Sequence, residues 1–227
     1  MKRKFFTFLH KSSFAVLWST LSISLVACHP DEIEEISVPC SEEGHIHAVD
    51  LGLSVKWACC NIGANSPEEY GGYYAWGESE KKDSCVWHTY KWHNNDTGDM
   101  TMYNDTDGKK ELSPEDDTAQ TLWGKDWRMP TQTEIQELMD RCKWEWVSVN
   151  GVSGYRVSGN GNSIFLPAAG SQYEDLFTSQ KTQGCYMSAT LNDKDCGLNV
   201  CMAFSQKKRY TINSERCDGH TIRPVRK

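Results

Sequence analysis

The hydrophobic positions of the chain form short segments separated by turn residues, a pattern typical of strands rather than of long helices. Eight segments have the apolar, β-branched or aromatic composition of strands: 47–49, 55–58, 72–76, 155–157, 164–167, 185–189, 200–204 and 221–225. Three dipeptides typical of hairpin turns lie between or beside these segments: Asn150-Gly151, Asn160-Gly161 and Asp218-Gly219. The pattern predicts short, mainly antiparallel strands.

Two segments have the signals of helices. Ser113 is placed to cap the first helix, with a proline at the next position and Gly124 at its end. Thr131 and Glu134 form a capping box that opens the second helix, which ends near Cys142. Because strands and helices do not alternate regularly, a parallel doubly wound sheet is disfavoured. We expect an α+β fold in which two short helices pack on a sheet.

Aromatic residues indicate where the core lies. Eight of the nine tryptophans lie between Trp57 and Trp146, and we expect Trp57 and Trp127 to be buried. A second group of aromatic residues consists of Tyr70, Tyr73, Tyr74 and Trp76. These side chains could either stack on a sugar ring or pack in the core, and core packing is favoured. In contrast, the stretch 94–111 repeats Asn-Asp-Thr and has few apolar residues. This stretch predicts an exposed loop.

The N-terminal segment has the pattern of a secretory signal peptide rather than of a folded element. Lys2, Arg3 and Lys4 precede the stretch 12–27, which contains no charged residue and is short for a membrane span of roughly 20 apolar residues. The stretch ends in Val26-Ala27-Cys28 after a leucine, which resembles the bacterial lipobox. That resemblance implies removal of 1–27 and acylation of Cys28, which would anchor the protein in a membrane. An uncleaved anchor, or simple cleavage that leaves a free Cys28, is the alternative.

We divide the chain into a signal peptide 1–27, an acidic tether 28–43 and one domain 44–227. The acidic residues after Cys28 form at least a solvated tether, and they also resemble the signal that exports Bacteroidetes lipoproteins to the outer face of the outer membrane. We therefore expect a cell-surface lipoprotein of the outer membrane. The net charge of −7 and the isoelectric point near 5.5 argue against a nucleic-acid partner.

Several motifs together resemble one known family. They are Val49-Asp50-Leu51-Gly52-Leu53, Tyr70-Gly71-Gly72-Tyr73-Tyr74-Ala75-Trp76-Gly77-Glu78, Trp127-Arg128-Met129-Pro130-Thr131, Phe165-Leu166-Pro167-Ala168-Ala169-Gly170 and Ile222-Arg223-Pro224-Val225. Over 48–226 the chain is similar to the Fibrobacter succinogenes major paralogous domain. The resemblance implies a secreted or surface lipoprotein with a C-type-lectin-like fold, related to that of formylglycine-generating enzymes. The chain departs from the family pattern at 185–189.

The cysteines allow several interpretations. The chain has ten, and the resemblance implies a disulfide between Cys60 and Cys142, although buried thiols are the alternative. No motif with zinc-ligand spacing includes the histidines, and we expect neither a metal nor a cofactor. The enzyme relatives act through a cysteine pair, which would correspond here to Cys196 with Cys201 or Cys217. Because the local motifs differ, we expect no enzymatic activity.

The polar run 191–220 is the expected ligand face, because loops on a rigid scaffold usually carry recognition. Its proposed binding residues are Asn192, Asp195, Arg209 and Tyr210. We expect non-catalytic recognition of a glycan or a protein. Two rival functions make different structural predictions. A formylglycine-generating-type enzyme predicts a deep cleft with two cooperating thiols, and a structural envelope or adhesin-tip subunit predicts an exposed apolar patch or strand edge.

Overall fold

The structure is a computed structural model that describes residues 47–227. The expected signal peptide, Cys28 and the tether 28–43 lie outside the described residues. The two α-helices are α1 (Thr118–Trp123) and α2 (Gln132–Arg141). The strands are β1 (Ala48–Val49), β2 (Lys56–Ala58), β3 (Lys143–Val149), β4 (Val152–Gly159), β5 (Asn162–Pro167), β6 (Ser171–Tyr173), β7 (Leu176–Thr178), β8 (Gln183–Leu191), β9 (Leu198–Ser205), β10 (Lys208–Glu215) and β11 (Val225–Arg226). The α+β class is confirmed.

Within residues 47–227, the strands form four small sheets in which neighbouring strands are antiparallel. Their orders are β1-β2-β11, β3-β4-β5, β8-β9-β10 and β6-β7. Two hairpin turns predicted from the sequence are present. Asn150 and Gly151 join β3 to β4 with φ of 50° and 78°, and Asn160 and Gly161 join β4 to β5 with φ of 51° and 76°. Both turns therefore have two successive left-handed residues, which is the requirement of a type I′ turn.

The second predicted helix is confirmed with its cap. The Thr131 hydroxyl accepts a hydrogen bond from the Glu134 N–H, and the Glu134 carboxylate accepts one from the Thr131 N–H. The predicted start of the first helix at Ser113 is wrong. Helix α1 begins after Asp117, whose carboxylate accepts hydrogen bonds from two N–H groups of the first turn and from Met129 N–H. These three donors make Asp117 a better cap than Ser113.

Two predicted strands are wrong in whole or in part. The segment 72–76 forms no continuous strand: Tyr74 and His220 exchange two backbone hydrogen bonds as an isolated bridge, and Trp76 N–H donates to the Arg216 carbonyl. Of 221–225, only Val225 belongs to a strand. The sequence analysis also missed β3, β6, β7 and β10.

The core consists of two main apolar clusters. One lies beneath α2 and includes Trp57, and the other surrounds Trp76. Trp57 and Trp127 are 1% and 6% exposed, so both predictions of burial are confirmed. Tyr73, Tyr74 and Trp76 are buried as well, which confirms core packing for three of the four residues in the aromatic series.

A buried arginine ties the C-terminal segment to two sheets. Arg223 is 1% exposed, and its Nε donates to the Asn61 side-chain oxygen at 2.8 Å. Its two Nη atoms donate to the carbonyls of Ala58 and Cys59 near β2 and of Phe165 in β5. A buried guanidinium is tolerated only when its donors are satisfied, so this network holds 222–225 in place.

Candidate functional site

The four predicted ligand residues do not form one site. Asn192 and Asp195 lie in the loop between β8 and β9, where their side-chain oxygens accept hydrogen bonds from backbone N–H groups of the same loop. Arg209 and Tyr210 lie near the start of β10, opposite Phe204 and Ala203 of β9. The loop is at the other end of β10, roughly 20 Å away at about 3.3 Å per residue. The four residues of the predicted ligand face therefore lie at two separate positions on the surface.

Arg209 and Tyr210 border a shallow surface depression of about 530 Å³. The Arg209 guanidinium lies 5.3 Å from the Trp144 ring, and Lys208 lies 4.8 Å from the Tyr210 ring. Tyr210 is 38% exposed. Cation–π contacts of this kind occupy the aromatic faces that a ligand would use, so this place is a weak candidate.

A stronger candidate is the hairpin of β6 and β7. Its tip exposes three large apolar side chains, which we call the hairpin patch: Tyr173, Leu176 and Phe177. They are 40%, 62% and 54% exposed, and the other strongly exposed large hydrophobic residues within 47–227 are Leu122 and Tyr210, which stand far along the chain. Three such residues within five positions concentrate the exposed apolar surface on one hairpin, whereas exposure scattered over single residues is normal for a surface. Tyr173 and Leu176 are paired and share one face of the hairpin, and Phe177 lies on the other face.

The hairpin is held by backbone hydrogen bonds along β6 and at its turn. Gln172 exchanges two backbone hydrogen bonds with Gly219, and Glu174 exchanges two with Cys85. The Gln172 side-chain amide donates to the carbonyl oxygens of Lys82 and Asp83 at 3.1 and 3.3 Å. The backbone of β6 is therefore paired on both sides, which fixes the position of the hairpin.

The side chains of the patch also rest on fixed partners. The Phe177 ring lies 4.9 Å from the Tyr73 ring, at an interplanar angle of 57°. The Tyr73 hydroxyl donates to the Ala169 carbonyl and accepts from the Gln180 side chain. The Tyr173 ring lies 6.3 Å from that of His220. One face of Phe177 is therefore packed, and the remainder is open to solvent.

Strand β7 also has an open backbone edge. Gln172 pairs with Phe177 in the register of β6 and β7, and the backbone groups of Gln172 point away from Phe177, toward Gly219. Since hydrogen-bonded and non-hydrogen-bonded pairs alternate in antiparallel strands, the N–H and C=O of Phe177 also point away from the hairpin. No strand within 47–227 pairs with this edge. At this edge, Phe177 offers one backbone N–H donor and one C=O acceptor to an added strand.

The turn between the two strands is charged and strained. Glu174 has φ of 53°, a left-handed conformation that is uncommon for a residue other than glycine, asparagine or aspartate. Glu174 and Asp175 are both exposed. Two carboxylates thus stand beside the hairpin patch. The sequence analysis missed this hairpin, although an acidic pair flanked by Tyr173 and Leu176-Phe177 is an available signal.

The predicted Cys60–Cys142 disulfide is not formed. Cys142 is a free, buried thiol packed among the side chains beneath α2, and burial raises its pKa. Cys60 lies beside Cys59, with their sulfur atoms 3.7 Å apart. Cys142 therefore packs in the core as a small apolar residue, the alternative considered above.

The thiols proposed for an enzyme are not arranged around a cleft. Cys201 and Cys217 are 0% and 3% exposed, and burial raises the pKa of each. Cys196 is partly exposed, and its carbonyl accepts from the Arg216 guanidinium. Four surface depressions are lined by basic, acidic and polar side chains, and none of the four is lined by a cysteine. One of them lies beside Lys125 and Arg128. Two of these three thiols are therefore buried rather than open to solvent.

Cys201 instead meets residues that the sequence analysis did not connect with it. Its Sγ, the Cys185 Sγ and a His220 ring nitrogen all lie within 4.8 Å of one another. All three residues are buried. We call them the thiol–imidazole cluster. A second group of possible metal ligands, formed by Glu215, Cys217 and Asp218, lies nearby and is more exposed.

Comparison with known proteins adds no relative: no family model, curated protein or solved structure matches the chain. The described helices include none that is long and apolar enough to cross a membrane.

Proposed function

We propose that the protein is a lipid-anchored surface protein whose domain binds a partner protein, without catalysis, through the hairpin patch. The observation that carries this proposal is the exposure of Tyr173, Leu176 and Phe177 together on one short hairpin, which is fixed by backbone hydrogen bonds along β6 and at its turn. Large apolar side chains that are exposed together are costly in water, and such patches mark interaction sites. A hairpin that is already fixed before binding loses less entropy on binding.

The composition of the patch favours a protein over a glycan. Leu176 and Phe177 are its most exposed members, and neither has a polar group to bond with sugar hydroxyls. Aromatic side chains desolvated at the centre of an interface supply much of the energy of protein recognition. The carboxylates of Glu174 and Asp175 beside the patch favour a partner with an apolar pocket and a basic rim.

The proposal extends to the fold and the anchor. We assign the domain to the C-type-lectin-like architecture on the strength of its sequence motifs, together with its small antiparallel sheets and two helices. The membrane connection is assigned to acylated Cys28, with display on the cell surface. Both assignments rest on resemblance, and the hairpin patch supports the binding role independently of them.

The test compares matched variants of the full chain on arrays of purified proteins and of glycans. We expect the wild type to bind at least one purified protein, and the Leu176→Ser/Phe177→Ser variant to bind it about 30-fold more weakly, the effect of losing about 2 kcal/mol at a hot spot. The control is Leu122→Ser/Tyr210→Ser, which removes two other large exposed hydrophobic side chains, 43% and 38% exposed, outside the hairpin. It should bind as the wild type does.

Two outcomes would refute the proposal. One is a wild type that binds glycans and no protein. The other is a hairpin variant that melts as the wild type does and keeps its affinity for the protein, because the patch would then be a bystander.

The open edge of β7 supports a second function, that of a structural subunit joined to a neighbour by strand addition. The single outward N–H and C=O of Phe177 make this the weaker candidate. Phe177→Pro removes the outward N–H, whereas Phe177→Ser keeps it. Assembly by strand addition should be lost in Phe177→Pro and retained in Phe177→Ser, while binding by side chains should be weakened in both.

A further inference from the structure

The thiol–imidazole cluster draws its members from three parts of the fold. Cys185 lies on β8, Cys201 on β9, and His220 follows β10. The donor atoms lie within 4.8 Å of one another, and the three residues are 5%, 0% and 0% exposed. Thiolate sulfur and imidazole nitrogen are the ligands that zinc prefers in proteins. We propose that Cys185, Cys201 and His220 bind one zinc ion. This inference does not depend on the proposed function.

The strand register favours a shared metal ion over a disulfide. Cys185 stands opposite Ala203, and Cys201 opposite Met187, so the two cysteines are diagonal neighbours on one face of the sheet. The Cα atoms of diagonal neighbours are about 7–8 Å apart, beyond the span of about 4.4–6.8 Å that a disulfide usually bridges. Two sulfurs on one tetrahedral zinc ion stand about 3.8 Å apart, for Zn–S bonds of about 2.3 Å. Small side-chain movements would bring the sulfurs to that distance.

The hydrogen bonds around His220 prepare one ring nitrogen as a ligand. The Ser214 hydroxyl donates to the Asp218 carboxylate at 3.0 Å, so it must accept from His220 Nε2–H, 2.8 Å away. In the neutral ring the proton is then on Nε2 and the lone pair on Nδ1. Nδ1 lies 3.1 Å from the Ser171 hydroxyl. The Cys185 thiol contacts both Ser171 and His220, so Nδ1 faces the thiol.

The same contacts supply the outer partners typical of a metal site. Asp218, acting through Ser214, orients the imidazole as carboxylates do for metal-bound histidines. The Asn199 side-chain amide donates to Cys201 Sγ at 3.2 Å, which stabilises a thiolate there. The Ser171 hydroxyl, 3.1 Å from Nδ1, is placed to supply an oxygen at the fourth position of a tetrahedral ion.

Charge selects a divalent ion. The charges of two thiolates, one Zn²⁺ ion and a neutral imidazole sum to zero. A fully buried site tolerates such a neutral group far better than a charged one. A monovalent ion would leave a buried negative charge. When the two thiols bind Zn²⁺, each forms a Zn–S bond and loses its proton, so two protons leave for each ion bound by the fully protonated pair.

A zinc ion here would be structural. It would connect β8, β9 and the segment at His220, and through Ser171 it would reach β6 at the base of the hairpin. The Tyr173 ring of the hairpin patch already lies against His220. Binding should therefore stabilise the domain, without creating an open coordination position for catalysis.

The test measures metal binding by the full chain, reduced and then stripped of metal. We expect one equivalent of zinc to remain after gel filtration, by elemental analysis. We also expect the melting temperature to rise by about 5–10 °C when free zinc is about 100-fold above Kd. Cobalt(II) should give the sulfur-to-metal charge-transfer absorption of thiolate ligands. Cys185→Ser, Cys201→Ser and His220→Asn should each lose the stoichiometric zinc.

The matched control is Cys142→Ser, which removes a buried thiol from the other apolar cluster. This variant should keep the zinc and the melting shift. The proposal is overturned if the wild type binds no stoichiometric zinc, if its cobalt form lacks the charge-transfer absorption, or if Cys185→Ser and Cys201→Ser bind as the wild type does. A mass two hydrogens lower for a Cys185–Cys201 peptide pair from the unreduced protein would also overturn it. The cobalt spectrum of the wild type decides the matter even if the variants fail to fold.

Discussion

Arg216 donates a 3.3 Å hydrogen bond from its Nη1 to the carbonyl oxygen of Tyr103, which joins the segment after β10 to the middle of the loop 94–111. The Tyr103 side chain is fully buried, although the sequence pattern predicts an exposed loop there. The guanidinium also lies within 6 Å of the rings of Trp76, Tyr90, Trp92 and Tyr103. A buried cation thus anchors a polar loop through carbonyl oxygens and aromatic faces.

Arg216→Lys should destabilise the domain by about 3 kcal/mol or more. Lysine keeps the charge but cannot reach the carbonyls of Met102, Tyr103 and Cys196 together, and buried acceptors left without donors are costly. Urea unfolding measures the change, and hydrogen exchange should rise between 100 and 107. Arg209→Lys, at an exposed position, should change stability by no more than about 0.5 kcal/mol. Equal effects of the two substitutions would contradict this account of Arg216.

Trp57→Ala should cost about 3–5 kcal/mol, because it opens a large cavity in the core beneath α2. Trp57→Phe should cost less than half as much. The Trp57 indole N–H is buried and has no hydrogen-bond partner among the described residues, so phenylalanine removes an unsatisfied donor while filling most of the space. Denaturant midpoints of the two variants give the comparison. A Phe variant as unstable as the Ala variant would show that the N–H is satisfied.

Gly161→Ala should cost about 1 kcal/mol through backbone conformation alone. Gly161 has φ of 76°, and a Cβ added there would meet no atom within 4 Å, so no steric clash contributes. Gly161→Asn should cost less, because asparagine tolerates the left-handed region. Thermal melts of both variants test this order. If alanine and asparagine had the same effect, the turn conformation would not be the cause.

Stability should fall in acid partly through Glu134. Burial alone would raise the pKa of Glu134, but hydrogen bonds from the Arg128 guanidinium and from Thr131 outweigh it and hold the pKa below its ordinary value of 4.5. Because the folded state has the lower pKa, the stabilisation is complete well above pH 4.5 and is lost as the pH falls through the depressed pKa.

Glu134→Gln should therefore flatten the acid side of the stability curve, measured by melts between about pH 3 and pH 7. The control is Glu145→Gln, at a more exposed ion pair with Arg156. Its effect should be smaller and should vanish in salt. A steeper acid slope in Glu134→Gln than in the wild type would contradict the sign of the shift.

Cys28→Ser should release the protein from membranes, because acyl chains on Cys28 are the strong membrane attachment that the sequence indicates. Fractionation and the mass of the N-terminal peptide test this prediction together. A Ser variant that stays in the membrane fraction with residues 1–27 intact would show that the segment 12–27 acts as the anchor.

Local signals were sufficient for part of the fold. The capping box at Thr131 and the turns at Asn150-Gly151 and Asn160-Gly161 depend on residues within four positions of one another, and all three are present. The burial of Trp57 follows from its size and apolar surface, which nearly any fold would cover. The start of the first helix was predicted wrongly, because Ser113 and Asp117 are both suitable caps and lie close together. Asp117 is the cap in the structure, where its carboxylate also accepts a hydrogen bond from the distant Met129 N–H.

The candidate sites depend on the tertiary structure. Polar composition selected Asn192 and Arg209 as one face, but strand register separates them by the length of β10. Register and the return of the chain after β10 bring Cys185, Cys201 and His220 together, at separations of 16 and 19 residues that match no motif. The exposure of Leu176 and Phe177 is likewise invisible in composition, because an apolar side chain is exposed only when nothing in the fold covers it. Caps and turns depend on residues close together in the sequence, which the sequence shows directly. Contacts between residues far apart in the sequence depend on how the strands pair, which only the tertiary structure shows.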